Sequence, residues 1–212
     1  MKCFIVMSIA VLASGCSGGF HRDVQPTQVY MLRASAVAQT PASSASAATP
    51  AALTLRIGRT AAAPGLDSDR IVLMRADHRM DFYAASRWAA PLPEVIEALA
   101  VETLRGTGAW TAVNDSQGAF PGEYFLQINI RRFEADYTQS GDPKIEVSFA
   151  CSLGRRADRE LLASFIAEGT ATASANRVGA VVEAFEKAAN DALATVAART
   201  LETVQSASGR DR

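Results

Sequence analysis

Alternating apolar and polar positions fill the second half of the chain. Tyr124, Leu126, Ile128 and Ile130 hold one phase, and Phe133, Ala135 and Tyr137 hold the other. A period of two cannot slip unaided, so this strand is predicted to carry a bulge or sharp twist near Arg131-Arg132 that keeps both sets on one sheet face. Gly141-Asp142-Pro143 turns the chain. Ile145, Val147, Phe149, Cys151 and Leu153 then alternate, the charged stretch Arg155 to Glu160 turns again, and Leu161 to about Ala173 forms a third strand around Phe165. Three long strands with short links predict an antiparallel meander. Arg177 to Val204 changes to helical spacing, with Val178, Val181, Val182, Phe185, Ala189, Leu193 and Val196 as its buried stripe. This helix is expected to fray beyond Ala198 and to end in a loose polar tail over residues 205–212.

The first half reads as shorter pieces. Val29 to Arg33 and the alternating Leu53, Leu55 and Ile57 are strand candidates. Between them Ala34 to Ala52 is almost wholly Ala, Ser, Thr, Pro and Gln, with little to bury, and is expected to be a flexible insertion. Ala61 to Asp69, with Pro64-Gly65, reads as a loop or turn. Ile71 to Met74 and Met80 to Tyr83 flank polar Arg75 to Arg79 as a hairpin. Pro91 and Pro93 open a helix to about Arg105, where proline costs least. Leu92, Val95, Ile96, Leu99 and Thr103 fall on one side of it, Gly106 and Gly108 end it, and Trp110 to Val113 is a short strand. Both helices need a sheet to cover. The predicted fold is therefore one α/β domain over residues 28–204: a mixed, largely antiparallel sheet with two main helices on one face.

Composition narrows the class. The chain has 212 residues, 49% of them apolar and 20% charged, with 21 basic against 22 acidic side chains. No net field recruits nucleic acid or an anionic surface. The only long apolar run is Cys3 to Ala13, preceded by Lys2 and followed by Ala13-Ser14-Gly15-Cys16. A short charged head and a short apolar run read as an export signal over residues 1–15. The small residues before Cys16 resemble the bacterial lipobox, which implies that Cys16 is acylated and becomes the first residue of the mature chain. Ser17 in second place favours the outer membrane over retention in the inner one. Residues 16–27 then read as a lipidated tether. Loss of the signal removes Lys2 and no acidic residue, leaving a mature net charge of −2. With Cys3 removed and Cys16 acylated, Cys151 has no partner for a disulfide.

The residues supply little chemistry. His21 falls in the tether and His78 in the hairpin turn, neither at metal-ligand spacing. Turn chemistry accounts for most of Asp67, Asp69, Asp77 and Asp81, whose spacing fits neither an EF-hand nor a fixed carboxylate pair. Cys151 faces the core by phase and reads as an inert thiol. No nucleophile elbow, phosphate loop or dinucleotide fingerprint is present. The chain is read as no enzyme, with neither cofactor nor metal.

A family resemblance lies in three segments: Val29-Tyr30-Met31-Leu32-Arg33, then Pro64 to Val72 with Leu66-Asp67-Ser68-Asp69-Arg70, then Arg87-Trp88-Ala89-Ala90-Pro91-Leu92. In this order they resemble the ABC-type transport auxiliary lipoproteins, which include the paraquat-inducible protein C lipoproteins. Ala90 stands where the family pattern has Glu, and Ser68 interrupts its Leu-Asp-Arg run. The resemblance implies a non-catalytic outer-membrane lipoprotein. Its implied partners are an MCE-domain periplasmic protein and that protein's inner-membrane ABC transporter, which moves phospholipid or other hydrophobic cargo. Self-association is implied too, since some members form rings. The alternative of another class is a structural, ring-forming envelope lipoprotein with no role in lipid transport. Trp88 admits two readings, a core ring over the start of the first helix or a partner-docking anchor. Asp77, His78 and Arg79 divide in the same way between solvated turn and contact surface.

Overall fold

The computed structural model describes residues 26–35 and 53–210. Cys16, His21 and most of the Ala34–Ala52 stretch lie outside the described residues. The first half contributes strands β1 (Gln28–Tyr30), β2 (Thr54–Ile57), β3 (Ala61–Ala62), β4 (Arg70–Arg75) and β5 (Met80–Trp88), then helix α1 (Leu92–Gly106) and strand β6 (Ala112–Asn114). The second half contributes β7 (Tyr124–Tyr137), β8 (Lys144–Arg155), β9 (Glu160–Thr172) and helix α2 (Val178–Arg210). All nine strands belong to one mixed sheet.

β7 is its spine. Along one side it pairs antiparallel with β8, which pairs antiparallel with β9, giving the expected meander. Along the other side it takes β2, β3 and β4 in succession, all parallel. β5 folds back on β4, β1 lies parallel outside β5, and β6 lies parallel outside β2. The parallel pairings and the two-residue β3 were not legible in the sequence. Strands this short carry no alternation from which to read a partner.

The phase slip in β7 is a bulge. Ile130 pairs with Phe149 and Arg132 with Ser148, so Arg131 is the extra residue. Its effect is to return Phe133 and Ala135 to the face already held by Ile128 and Ile130, and all four are buried. The same face receives Ile145, Val147, Phe149, Cys151 and Leu153 from β8, again all buried. α1 and α2 touch each other and cover this face.

α2 runs further than its sequence suggested. It continues through Val204 to Arg210, about 50 Å in all. Thr200, Val204 and Ala207 carry the buried stripe about three turns past Val196, and the Ser208 hydroxyl lies 3.4 Å from the Tyr124 hydroxyl on β7. That packing replaces the expected fraying. Against β9 the helix approaches at backbone contact distance. A Cβ placed on Gly169 would sit 1.9 Å from the Ala188 carbonyl oxygen and 3.1 Å from the Ala192 nitrogen. Ala188, Ala189 and Ala192 supply the matching small surface on the helix.

Gly169→Val should therefore destabilise the fold by about 3 kcal/mol or more, because helix backbone must move. Gly209→Ala, with nothing near its added methyl, should change stability by less than about 1 kcal/mol. Denaturant melts of the two variants check the contrast.

Candidate functional site

The residues singled out in the sequence fall in two places. Trp88 ends β5, where three backbone bonds fix the turn into α1. The Trp88 N–H donates to the Asp69 carbonyl at 2.7 Å, Ala89 N–H to Tyr30 at 2.9 Å, and Leu92 N–H to Ser68 at 2.9 Å. Pro91 and Pro93 flank the first helical residue, where no intrahelical N–H bond is lost. This explains the Arg87–Leu92 segment physically: its backbone is tied to β1 and to the loop before β4. The Trp88 ring points inward, 1% exposed. It meets Phe133 edge-on at 5.9 Å and Phe185 edge-on at 5.4 Å, while those two rings stack at 4.9 Å. The structure thus places Trp88 in the core, joining β5, β7 and α2.

Asp77, His78 and Arg79 lie at the opposite end of β5, exposed on the β4–β5 turn. The His78 N–H donates to Arg75 and the Arg75 N–H to Arg79, each at 3.0 Å. His78 adopts φ of 60°. Arg79 pairs with Asp77 at 3.3 Å and Arg75 with Asp81 at 3.1 Å. The Phe82 N–H, and then Arg75, hold the Asp81 carboxyl below the usual carboxylate range. These are solvated pairs of small energetic weight. Between turn and tryptophan, β5 is kinked: Val72 pairs with Phe82 but Arg70 with Arg87, and Ala85 takes φ of 48°. Such a conformation costs an L-residue roughly 1–2 kcal/mol. Trp88 and the turn do not form one site.

Cys151 is buried beside the Phe165 pairing position, and burial pushes its thiol up to about 12. That is the reverse of the shift a nucleophile needs. Tyr83 and Tyr137 share a hydroxyl bond of 2.8 Å, and Tyr137 donates to Asn176 at 2.7 Å. Both are sheet residues. Among the described residues no group of three His, Cys, Asp or Glu side chains is arranged to hold a metal ion, and no helix is long and apolar enough to cross a membrane.

Three anchoring side chains escaped the sequence reading. Glu97 of α1 accepts from Thr60 N–H at 3.1 Å and Ser116 N–H at 2.9 Å, clamping the helix to the segments after β2 and β6. Asn190 of α2 donates to the Arg33 carbonyl at 2.9 Å and accepts from Ser35 N–H at 2.8 Å. Glu186 accepts from Arg33 N–H at 2.9 Å. The chain after β1 is therefore held along α2. In sequence these three look like ordinary polar-face residues.

The surface carries two clefts of opposite sign. One, about 840 Å³, is lined by Arg56, Arg59, Arg155, Arg156 and Arg159 over Phe125. The other, about 870 Å³, lies along α1 and is lined by Asp67, Glu94, Glu97, Glu102 and Asp115, with Arg59 and Arg105. A chain of almost zero net charge has sorted its charges in space.

Residues 30–198 match the family described as ABC-type transport auxiliary lipoprotein component, and the chain belongs to that family. It is a non-enzymatic component of that transport-associated class. The fold agrees with the crystal structure of protein XCC0632 from Xanthomonas campestris, which is 25% identical. That match has a TM-score of 0.76 over 86% of this chain and 99% of that one. The hypothetical protein CT253 from Chlamydia trachomatis shares the fold more distantly, with 11% identity and a TM-score of 0.51 over 73% of this chain and 98% of that one. No curated protein matches the chain.

Two measurements test this placement of residues. Trp88→Ala should cost about 3–5 kcal/mol in a denaturant melt, since transfer and cavity terms add. Cys151 should resist a thiol reagent at neutral pH in the folded protein and react fully once denatured. Rapid labelling of the native state would contradict its burial.

Proposed function

We propose that this protein is the outer-membrane lipoprotein of an MCE-type ABC transport system for phospholipid or other hydrophobic cargo. Acylated Cys16 anchors it, and the domain faces the periplasm and docks the MCE-domain protein of the inner-membrane transporter. The observation that carries this reading is the family match over residues 30–198. The lipobox-like Ala13-Ser14-Gly15-Cys16 supports the anchor. Two or more acyl chains hold a protein stably to a bilayer, each buried CH₂ adding roughly 0.8 kcal/mol.

The contribution is position and contact rather than turnover. The exposed Asp77-His78-Arg79 turn serves as a contact surface, whereas Trp88 lies in the core at the other end of β5. The cations of Arg79 and Arg75 are each already paired, so this surface would recognise shape and local hydrogen bonding more than net charge.

Genetic order tests the reading. Loss of this protein should raise sensitivity to detergent, and loss of both it and the MCE protein should be no worse than either single loss. Additive sensitivity would remove the shared route. In parallel, Cys16→Ala should abolish acyl labelling and leave a precursor of altered length. Undiminished palmitate incorporation in that variant would overturn the anchor.

A further inference from the structure

The sheet face away from α1 and α2 is not evenly polar. At the end where β7 begins, Phe125 is 40% exposed, Leu161 63%, and Phe120 in the adjoining loop 75%. Phe125 and Leu161 both pair with Gly154, one from each side. That glycine has no side chain to part them. Ile166, 60% exposed, continues the same face through its pairing with Ala150. Around Phe125 and Leu161 stand Arg56, Arg59, Arg155, Arg156 and Arg159.

The arginines are only partly neutralised from within. Arg155 engages both Asp158 and Glu160 at 2.7 Å, and Arg56 donates to the Ser116 carbonyl at 2.8 Å. Arg59, Arg156 and Arg159 make no ion pair among the described residues. Among the described residues, Glu160 is the acidic side chain that lines the cleft beside these five arginines. Every cation here is arginine, whose planar fork matches phosphate and carboxylate oxygens in pairs. Arginine stems also lie along apolar surface while their heads stay in the polar layer. Phe and Leu side chains beside cations are a composition found on faces that lie in the bilayer interface.

We propose that this end of the open sheet face is a second membrane contact, which lies on an anionic bilayer surface and sets how the domain stands on it. This rests on the anchoring reading for Cys16. Acylation holds the protein to the membrane at one point and does not by itself set which side of the domain meets the lipid. An arginine-ringed apolar patch adds an electrostatic attraction and a shallow apolar insertion at one defined end. It leaves the face covered by α1 and α2 on the side of the sheet away from the lipid.

Hydrogen exchange of the full acylated protein, reconstituted in vesicles, tests it. One preparation uses phosphatidylcholine alone, and the other adds phosphatidylglycerol as a minority lipid. Amides of residues 116–125 and 155–161 should exchange on the order of tenfold more slowly in the anionic vesicles at low salt. High salt, or the double variant Arg156→Glu/Arg159→Glu, should abolish the difference while leaving α2 exchange unchanged. Both arginines are exposed, so that variant should fold. Equal exchange in both vesicles would overturn the proposal, as would protection appearing only when an acidic protein is added. Failure of the anchor is distinguishable: the protein would then float with neither neutral vesicle nor, for the double variant, anionic vesicle. Flotation of the unaltered chain with anionic vesicles alone would still support the patch.

Discussion

Three aromatic rings hold this fold in register. Trp88 closes β5, Phe133 follows the bulge in β7, and Phe185 comes from the second turn of α2. These elements are far apart in sequence, and the rings are where they meet. The cluster makes demands elsewhere. Phe133 can point inward only because Arg131 is an extra residue. A regular ladder would put Ile130 and Phe133 on opposite faces and leave Trp88 and Phe185 with a gap. Phe185 can reach the cluster only because α2 lies close on β8 and β9, and Gly169 permits that approach at Ala188. Offset and edge-on ring contacts add roughly 0.5–1.5 kcal/mol each beyond their burial. Their larger effect is to fix which turn of α2 sits over which strand.

How much of this was legible depended on repetition. Ten or more residues of alternation in β7 and β8 define strands, faces and even the slip at Arg131. The stripe through Val181, Phe185, Leu193 and Val196 defines the second helix. Its last turns were lost because Gln205, Ser206 and Ser208 look like a solvated tail, although Val204 and Ala207 keep the spacing. Ala61–Ala62, with two alanines, has no pattern to read. The left-handed Ala85 has none of the usual markers, since glycine or asparagine would be expected there. The clefts were invisible for another reason. Arg56 and Arg59 meet Arg155, Arg156 and Arg159 only because β2 and β8 flank the same end of β7. No local spacing encodes that meeting. Glu97 and Asn190 were equally hidden, since each spends a polar side chain on backbone groups from distant segments.

The resulting molecule has two unlike faces. One is consumed by α1 and α2 and contains the only thiol of the described residues, buried and inert. The other is an open sheet with apolar and cationic residues gathered at one end and the β4–β5 turn displaced from them across the sheet. Such an arrangement suits a component that connects rather than transforms. In the proposed system the lipid anchor sets the membrane and the rigid aromatic core sets the geometry. The exposed turn offers contact to a partner at a fixed distance from the open-face patch.

In the proposed role the domain docks onto a transport assembly. Mild cross-linking of the full-length protein in its own membranes, followed by purification and identification of what is joined to it, tests that most directly. Docking predicts recovery of an MCE-domain protein, with its permease and ATPase retained through that protein. Recovery is predicted to fall when residues 77–79 are each replaced by alanine, while stability is unchanged. Recovery of copies of this chain alone, with no transporter component at any cross-linker level, would contradict it and leave the structural envelope lipoprotein.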